Sequence, residues 1–209
     1  MARGCAYYPA PSSPVGEGAS PFCPGCPARG MNTGDPVSYE AHADDKYVLL
    51  GEAPGVHETI EGRPFVGPSG IELQRALNAV GVERSACHIT NVISCRPPKN
   101  DLEALNISIT RKNKKLGKKA RDEGKKFRPI LKPVEACRSR LYSELSHLRT
   151  RNIVCLGKTA AKSLRGGDVA IMDIRGGCEE RPAPWDARVR LKIAYTMHPS
   201  FVLRQPAYR

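Results

Sequence analysis

The chain has 209 residues, 40% of them hydrophobic, and its 33 Lys and Arg outnumber 21 Asp and Glu for a net charge of +12. That length can bury a real core. No apolar run is long enough to span a bilayer, and residues 1–18 lack the apolar stretch of a signal peptide. The expectation is a soluble, cytoplasmic, monomeric protein with no membrane partner. In a reducing cytosol its eight cysteines are read as ligands or buried thiols rather than disulfides. A pI near 9.5 points to a polyanionic partner, with nucleic acid first.

Residues 1–45 are rich in Pro, Gly, Ser and Ala and are expected to form an irregular N-terminal wrap. Cys23 and Cys26, in Phe-Cys-Pro-Gly-Cys-Pro, offer a means to tether it. Residues 46–209 are expected to form the main domain. Its first apolar run, 46–51, reads as a short buried strand that ends in the Gly51-Glu52-Ala53-Pro54-Gly55 loop. A helix is expected next, capped by Ser69, with Ile71, Leu73, Leu77 and Val80 facing inward.

A second strand is expected over 88–93, leading into Cys95-Arg96-Pro97-Pro98. The segment 101–132 then interrupts the pattern. Between Arg111 and Arg128 it holds ten Lys or Arg and two acids, a net of +8, and it is expected to be a basic insertion lacking regular structure. Two readings of it stay open: a solvated loop, or an arm that binds phosphates through Lys114, Lys115, Lys118 and Lys119.

Pro133 is placed to open a helix with Val134, Cys137, Leu141, Leu145 and Leu148 on one face. A strand over 152–157, a short helix over 159–164 and a strand over 191–196 complete the order. Alternation of strand and helix predicts an α/β fold, a three-layer α/β/α sandwich around a four-stranded parallel sheet. Ligands of such sheets sit at the carboxyl ends of the strands. The segments Gly51–Gly55, Asn91–Pro98 and His198-Pro199-Ser200 all fall there.

Cys23, Cys26, Cys95 and Cys137 have the spacing of a four-thiol metal site, for which zinc and an iron–sulfur cluster are both suited; structural thiols are the alternative. Cys5, Cys87, Cys155 and Cys178 are read as dispensable, with Cys5 and Cys178 in loops. Taken singly, the carboxylates after Gly51 could be solvated, and Asn91 and His198 structural.

Together, four fragments resemble the uracil-DNA glycosylase superfamily, and within it the iron–sulfur family 4 branch. They are Gly-Glu-Ala-Pro-Gly-x-x-Glu at 51–58, Gly-Arg-Pro-Phe-Val-Gly at 62–67, Thr-Asn-Val-Ile-Ser-Cys-Arg-Pro-Pro-Lys-Asn at 90–100 and Thr-Met-His-Pro-Ser-Phe-Val-Leu-Arg at 196–204. The resemblance implies base excision from DNA containing uracil, taken as a flipped nucleotide, and a structural 4Fe–4S cluster on Cys23, Cys26, Cys95 and Cys137. It implies that Gly51, Phe65, Asn91 and Ser200 form the base pocket, with Phe65 stacking and Asn91 reading the uracil edge. His198 is expected to stabilise the departing uracil, Glu58 with Asn100 to position water, and Glu52 to shape the pocket. Leu203 and Arg204 are expected on a DNA-inserting loop, against an alternative in which Leu203 is packed in a turn. Two departures stand out. Ala53 occupies the position of an aspartate in the best-known branch, and Ser94 replaces a basic residue common before this cysteine. A catalytically silent iron–sulfur DNA-binding module, attached to a replication or repair protein, is the alternative function. A four-cysteine zinc protein that binds RNA is a third.

Overall fold

The computed structural model describes residues 35–208. Its strands are β1 (Tyr47–Gly51), β2 (Cys87–Asn91), β3 (Asn152–Leu156), β4 (Cys178–Ala183) and β5 (Asp186–Thr196). They form one sheet in the order β2-β1-β3-β5-β4, in which β2, β1, β3 and β5 are parallel. The four parallel strands expected from the sequence are all present. A fifth, β4, pairs antiparallel with β5 and closes one edge. Its sequence, Cys-Glu-Glu-Arg-Pro-Ala, has no apolar alternation, and it carries Pro182, a residue that edge strands tolerate. Cys178, expected in a loop, opens this strand and is exposed.

The helices among the described residues are α1 (Val56–Glu61), α2 (Pro68–Ala79), α3 (Leu102–Asp122), α4 (Pro133–His147), α5 (Lys158–Arg165), α6 (Ile171–Ile174) and α7 (Pro199–Arg204). Successive strand residues point to opposite faces of the sheet, and both faces are covered. Val48 and Leu50 of β1 join Cys137, Leu141 and Leu145 of α4 and Ala160, Ala161 and Leu164 of α5 in one core. Leu49 joins Ile89, Phe65 and Leu73 and Leu77 of α2 in the other. This is the expected three-layer sandwich.

The expected face of α4 is the buried one: Cys137, Leu141 and Leu145 are buried, and Val134 and Leu148 pack against them. In α2 the expectation was half right. Leu73 and Leu77 are buried, but Ile71 and Val80 are 61% and 71% exposed, because Gly70 and Glu72 take the inward positions. The helix is capped by Gly67 with Pro68 in its first turn, not by Ser69.

The largest departure is the basic segment. Residues expected to lack regular structure form α3, a helix of 21 residues. Asp101 accepts from the Ala104 N–H as its N-cap, and Leu102, Leu105 and Ile109 bury its first two turns. The apolar stripe docks the first half of the helix, and the good helix formers Arg, Lys, Leu and Ala predominate in the second half from Arg111 to Arg121. No helix of the described residues is long and apolar enough to cross a membrane.

Of the expected wrap, only 35–45 falls within the described residues. Glu40 bridges Ile89 as an antiparallel partner of β2, with N–H···O distances of 2.9 and 2.8 Å. The Val37 N–H reaches Ser94 O at 2.8 Å.

Candidate active site

Gly51 ends β1 and Asn91 ends β2, and the two are paired in register. A Cβ at Gly51 would strike Asn91 Oδ1, and would lie 2.5 Å from Phe65 Cζ. Only glycine lets the β1 backbone come this close to both side chains. The backbone there is therefore one wall of a cradle that Asn91 and Phe65 complete. Asn91 is 6% exposed, and its Oδ1 is buried without a hydrogen-bond partner among the described residues. An orphaned buried acceptor costs about 1–3 kcal/mol, so this carboxamide is held ready for a donor the protein does not itself provide. The Asn91 backbone is pinned from behind. Arg140 of α4 donates to Asn91 O at 2.5 Å and to Val92 O at 2.9 Å, and its other nitrogen pairs with Glu144 at 2.6 Å.

Phe65 is 6% exposed and lies in the left-handed region at φ 52°, a conformation that costs about 1–3 kcal/mol for a non-glycine residue. Arg84 holds it there. This guanidinium donates to Pro64 O at 2.8 Å and Phe65 O at 3.2 Å. It also grips Glu40 through two bonds of 2.8 and 2.9 Å. Arg63 adds a third contact to Glu40 at 3.0 Å. Burial alone would raise the Glu40 carboxyl, but the two arginines hold it down at about 2.

His198 precedes α7, and its ring centroid lies 5.8 Å from that of Phe65, tilted by 33°. The Ser200 N–H donates to its Nδ1 at 3.1 Å, with the Ser200 hydroxyl 2.8 Å away. An Nδ1 that accepts from a backbone donor leaves the proton of the neutral ring on Nε2. Burial pushes the imidazole down to about 4, the Arg204 charge adds to this, and Glu58 opposes it. His198 is therefore a neutral Nε2–H donor at physiological pH. Ser200, expected in the base pocket, is bonded to this ring and sets its tautomer.

Glu58 is 8% exposed and fully occupied with the backbone. Its oxygens accept from the N–H groups of Gly55, Val66 and Gly67 at 3.0, 3.1 and 2.9 Å, which ties the loop after β1 to the turn carrying Phe65. Glu52 accepts from the Thr159 hydroxyl at the start of α5. Asn100 is exposed, and its Oδ1 accepts from Arg96 Nε at 2.6 Å. Its side chain is thus turned to Arg96, while the Glu58 carboxylate is turned to the loop backbone.

The other expected positions divide. Leu203 and Arg204 lie not on a loop but in the last turn of α7, Leu203 half-buried and Arg204 exposed. Lys114 and Lys118 line a cleft beside α3, while Lys115 and Lys119 lie outside it. Cys137 is buried in α4, and Cys95 is half-buried after β2; Cys23 and Cys26 lie outside the described residues. With two of the four candidate thiols in view, no metal-binding group of three or more ligand side chains occurs among the described residues. Burial pushes the thiols of Cys155 and Cys87 up to about 12 and 11, which leaves both inert. Glu40, Arg84 and Arg140 were missed by the sequence reading. Each acts on a residue far along the chain, and no local motif marks them.

Comparison with known proteins gives a consistent result. Residues 38–209 match the family described as the uracil DNA glycosylase superfamily. The chain is similar to a "Type-4 uracil-DNA glycosylase" of Pyrobaculum aerophilum, 35% identical over 78% of this chain and 70% of that protein. It is similar to proteins of the same name from Thermotoga maritima, at 31% over 87% and 78%, and Archaeoglobus fulgidus, at 32% over 78% and 69%.

Proposed function

Because this chain belongs to the uracil DNA glycosylase superfamily, we propose that it is a type-4 uracil-DNA glycosylase. It hydrolyses the N-glycosidic bond of a uracil flipped out of DNA, leaves an abasic site for base excision repair, and works as a cytoplasmic monomer. The observation that carries this reading is the unpartnered Asn91 Oδ1 beside Phe65 and the Gly51 backbone. Uracil presents the complement: its N3–H donates to Oδ1, and its O4 accepts from Nδ2. A base lacking that donor–acceptor pair would leave the amide buried and unpaired, which is a strong form of rejection.

In the reaction, the C1′–N1 bond breaks with its electrons leaving on uracil, water adds to C1′ as hydroxyl, and the proton that water loses passes to the solvent, which protonates the released uracil anion. The neutral His198 donates through Nε2–H to the uracil oxygen where negative charge collects. A charged imidazolium is not required, and its depressed pKa favours this donor form. Phe65 supplies the apolar face against which the base stacks. Glu58 and Glu52 supply negative field for the developing sugar cation. Asn100 positions the water through its side-chain amide, while Glu58, whose oxygens are taken by three backbone N–H groups, acts on the water only by bracing the loop. Arg204 and Leu203 on α7 meet the DNA beside the extruded nucleotide.

The four thiols of Cys23, Cys26, Cys95 and Cys137 are the donor set for a 4Fe–4S cluster, a fit supported by their all-sulfur chemistry. When bound, such a cluster is structural here, since hydrolysis moves no electrons. Cys95 would tie it to the segment that follows Asn91, and Cys137 to the helix that carries Arg140.

The test is Asn91→Ala assayed on an oligonucleotide with a single uracil. It should retain the wild-type thermal stability and affinity for undamaged DNA, while uracil release falls at least about a hundredfold. Release at the wild-type rate would refute the assigned base reader.

A further inference from the structure

We propose that the cleft between α3 and the chain returning over residues 129–132 is a second DNA-binding surface, which seats the phosphodiester backbone away from the excised base. This rests on the reading of the protein as an enzyme acting on DNA, and it adds to that reading a separate surface.

The arm is ordered by its own contacts rather than solvated as a coil. Beyond Ile109, the residues of α3 that escape full exposure are Asn113, Leu116, Gly117 and Ala120, a single face at helical spacing. That face meets the returning chain. Asn113 clasps Ile130 by accepting from its N–H at 2.9 Å and donating to its carbonyl at 2.8 Å. Gly117 lies under the Phe127 ring, whose Cδ1 would be 3.3 Å from a Cβ there. A cleft of about 560 Å³ opens along this seam.

Its walls carry an unbalanced charge. Lys114, Lys118 and Arg121 line it from α3, and Lys132 faces them from the returning chain. None of the four forms a salt bridge among the described residues, whereas Lys119, outside the cleft, pairs with Glu123 at 3.8 Å. Glu135 is the one carboxylate lining the cleft among the described residues, and it accepts from the Lys132 N–H at 3.0 Å as part of the α4 cap. Four like charges around one cleft repel each other unless a polyanion lies between them. Lys114, Lys118 and Arg121 are spaced i, i+4 and i+7, about 10.5 Å along the helix axis at 1.5 Å per residue. One DNA strand rises about 3.4 Å per phosphate along the duplex axis, so a row laid along that axis spans about three phosphate steps and offers one cation for each. The exposed Leu131 and the Ile130 side chain offer an apolar border for sugar edges. Binding to the DNA backbone in this way adds affinity without sequence preference.

The competing picture is a diffuse positive field around a solvated helix. Two triple variants separate the pictures, because each removes three charges from the same helix. One is Lys114→Gln, Lys118→Gln and Arg121→Gln in the cleft. The other is Lys112→Gln, Lys115→Gln and Lys119→Gln outside it. Glutamine is as good a helix former as lysine, so both variants should keep wild-type helicity and melting temperature. Binding to a uracil-free duplex is measured by anisotropy across a salt series. The cleft triple should lower the slope of log affinity against log salt by about 3, roughly one for each phosphate that the variant no longer neutralises. The outer triple should lower it by less than about 1. Equal reductions in both variants, or none in either, would overturn the proposal. Uracil release at saturating substrate is measured alongside. A wild type that releases no uracil defeats the enzymatic reading, while the salt slopes on uracil-free DNA still decide the cleft.

Discussion

Replacing Arg84 with methionine keeps most of the side-chain volume and removes a guanidinium that makes four hydrogen bonds: two to Glu40, one to Pro64 O and one to Phe65 O. The Glu40 side chain is only 7% exposed. Breaking a buried pair by removing one partner costs about 3–5 kcal/mol. Arg63 remains 3.0 Å from the same carboxylate, which places the expected loss near about 3 kcal/mol. Against a typical total of about 5–15 kcal/mol the variant still folds, and urea denaturation reads the change directly. Activity should fall as well, because Phe65 sits at φ 52° and loses the bond that fixes its carbonyl. A shift of about 1 Å in a positioning residue can cost about a hundredfold in rate, so kcat/KM should drop about 10- to 100-fold. Glu40→Gln should lose much of the same stability, and the double variant little more than either single, giving a coupling of about 2 kcal/mol or more. The sign with pH follows from the depressed carboxyl. Glu40 contributes fully above its unfolded pKa near 4.5, and the contribution is lost as pH falls toward about 2. An Arg84→Met protein with wild-type stability and kcat/KM, or an additive cycle, would refute the linkage.

Other expectations follow from the same side chains. His198 is pushed down to about 4, so the acid limb of the kcat profile should not carry an ionisation near 6.5, and His198→Ala should leave the shape of the remaining profile unchanged above pH 5. An acid limb centred at 6.5 that disappears in this variant would contradict the neutral-donor assignment. His88 runs the other way. Burial alone would lower it, but Asp45 and Glu144 raise it to about 9. Its contribution is present below the unfolded value near 6.5 and is lost as pH rises through about 9. Melting temperature should therefore decline over that interval in the wild type and less so in His88→Gln; parallel curves would refute it. Cys137→Ala should lose visible absorbance and solubility together, and a coloured, soluble variant would remove Cys137 from the ligand set.

The legible part of the fold was the part with a short-range signature. Val48, Leu49 and Leu50 announce β1 as an apolar run, and Cys137, Leu141 and Leu145 announce α4 by their spacing. The helix α3 was hidden because its apolar stripe stops after Ile109 and lysines follow, a composition that suits an exposed helix as well as a coil. The strand β4 was hidden because pairing with β5, not its own pattern, makes it a strand. In the site, Phe65, Asn91 and His198 were readable because they sit in distinctive fragments. What holds them was not. Glu40 and Arg84 are 44 residues apart, and neither has a neighbour that signals a role. Glu58 was legible as a site residue, but its three backbone bonds depend on how the turn at Val66 and Gly67 returns to α1.

The central claim is that the cradle of Gly51, Phe65, Asn91 and His198 excises uracil. Its most direct test incubates the wild-type protein with a DNA strand carrying one uracil, quantifies free base, and then cleaves the strand with alkali. The account predicts free uracil in equal amount to strands broken at that one position, and no release from the same strand carrying cytosine, whose N3 and N4 reverse the donor and acceptor that Asn91 matches. DNA that is bound but yields neither free uracil nor an alkali-labile site would contradict it.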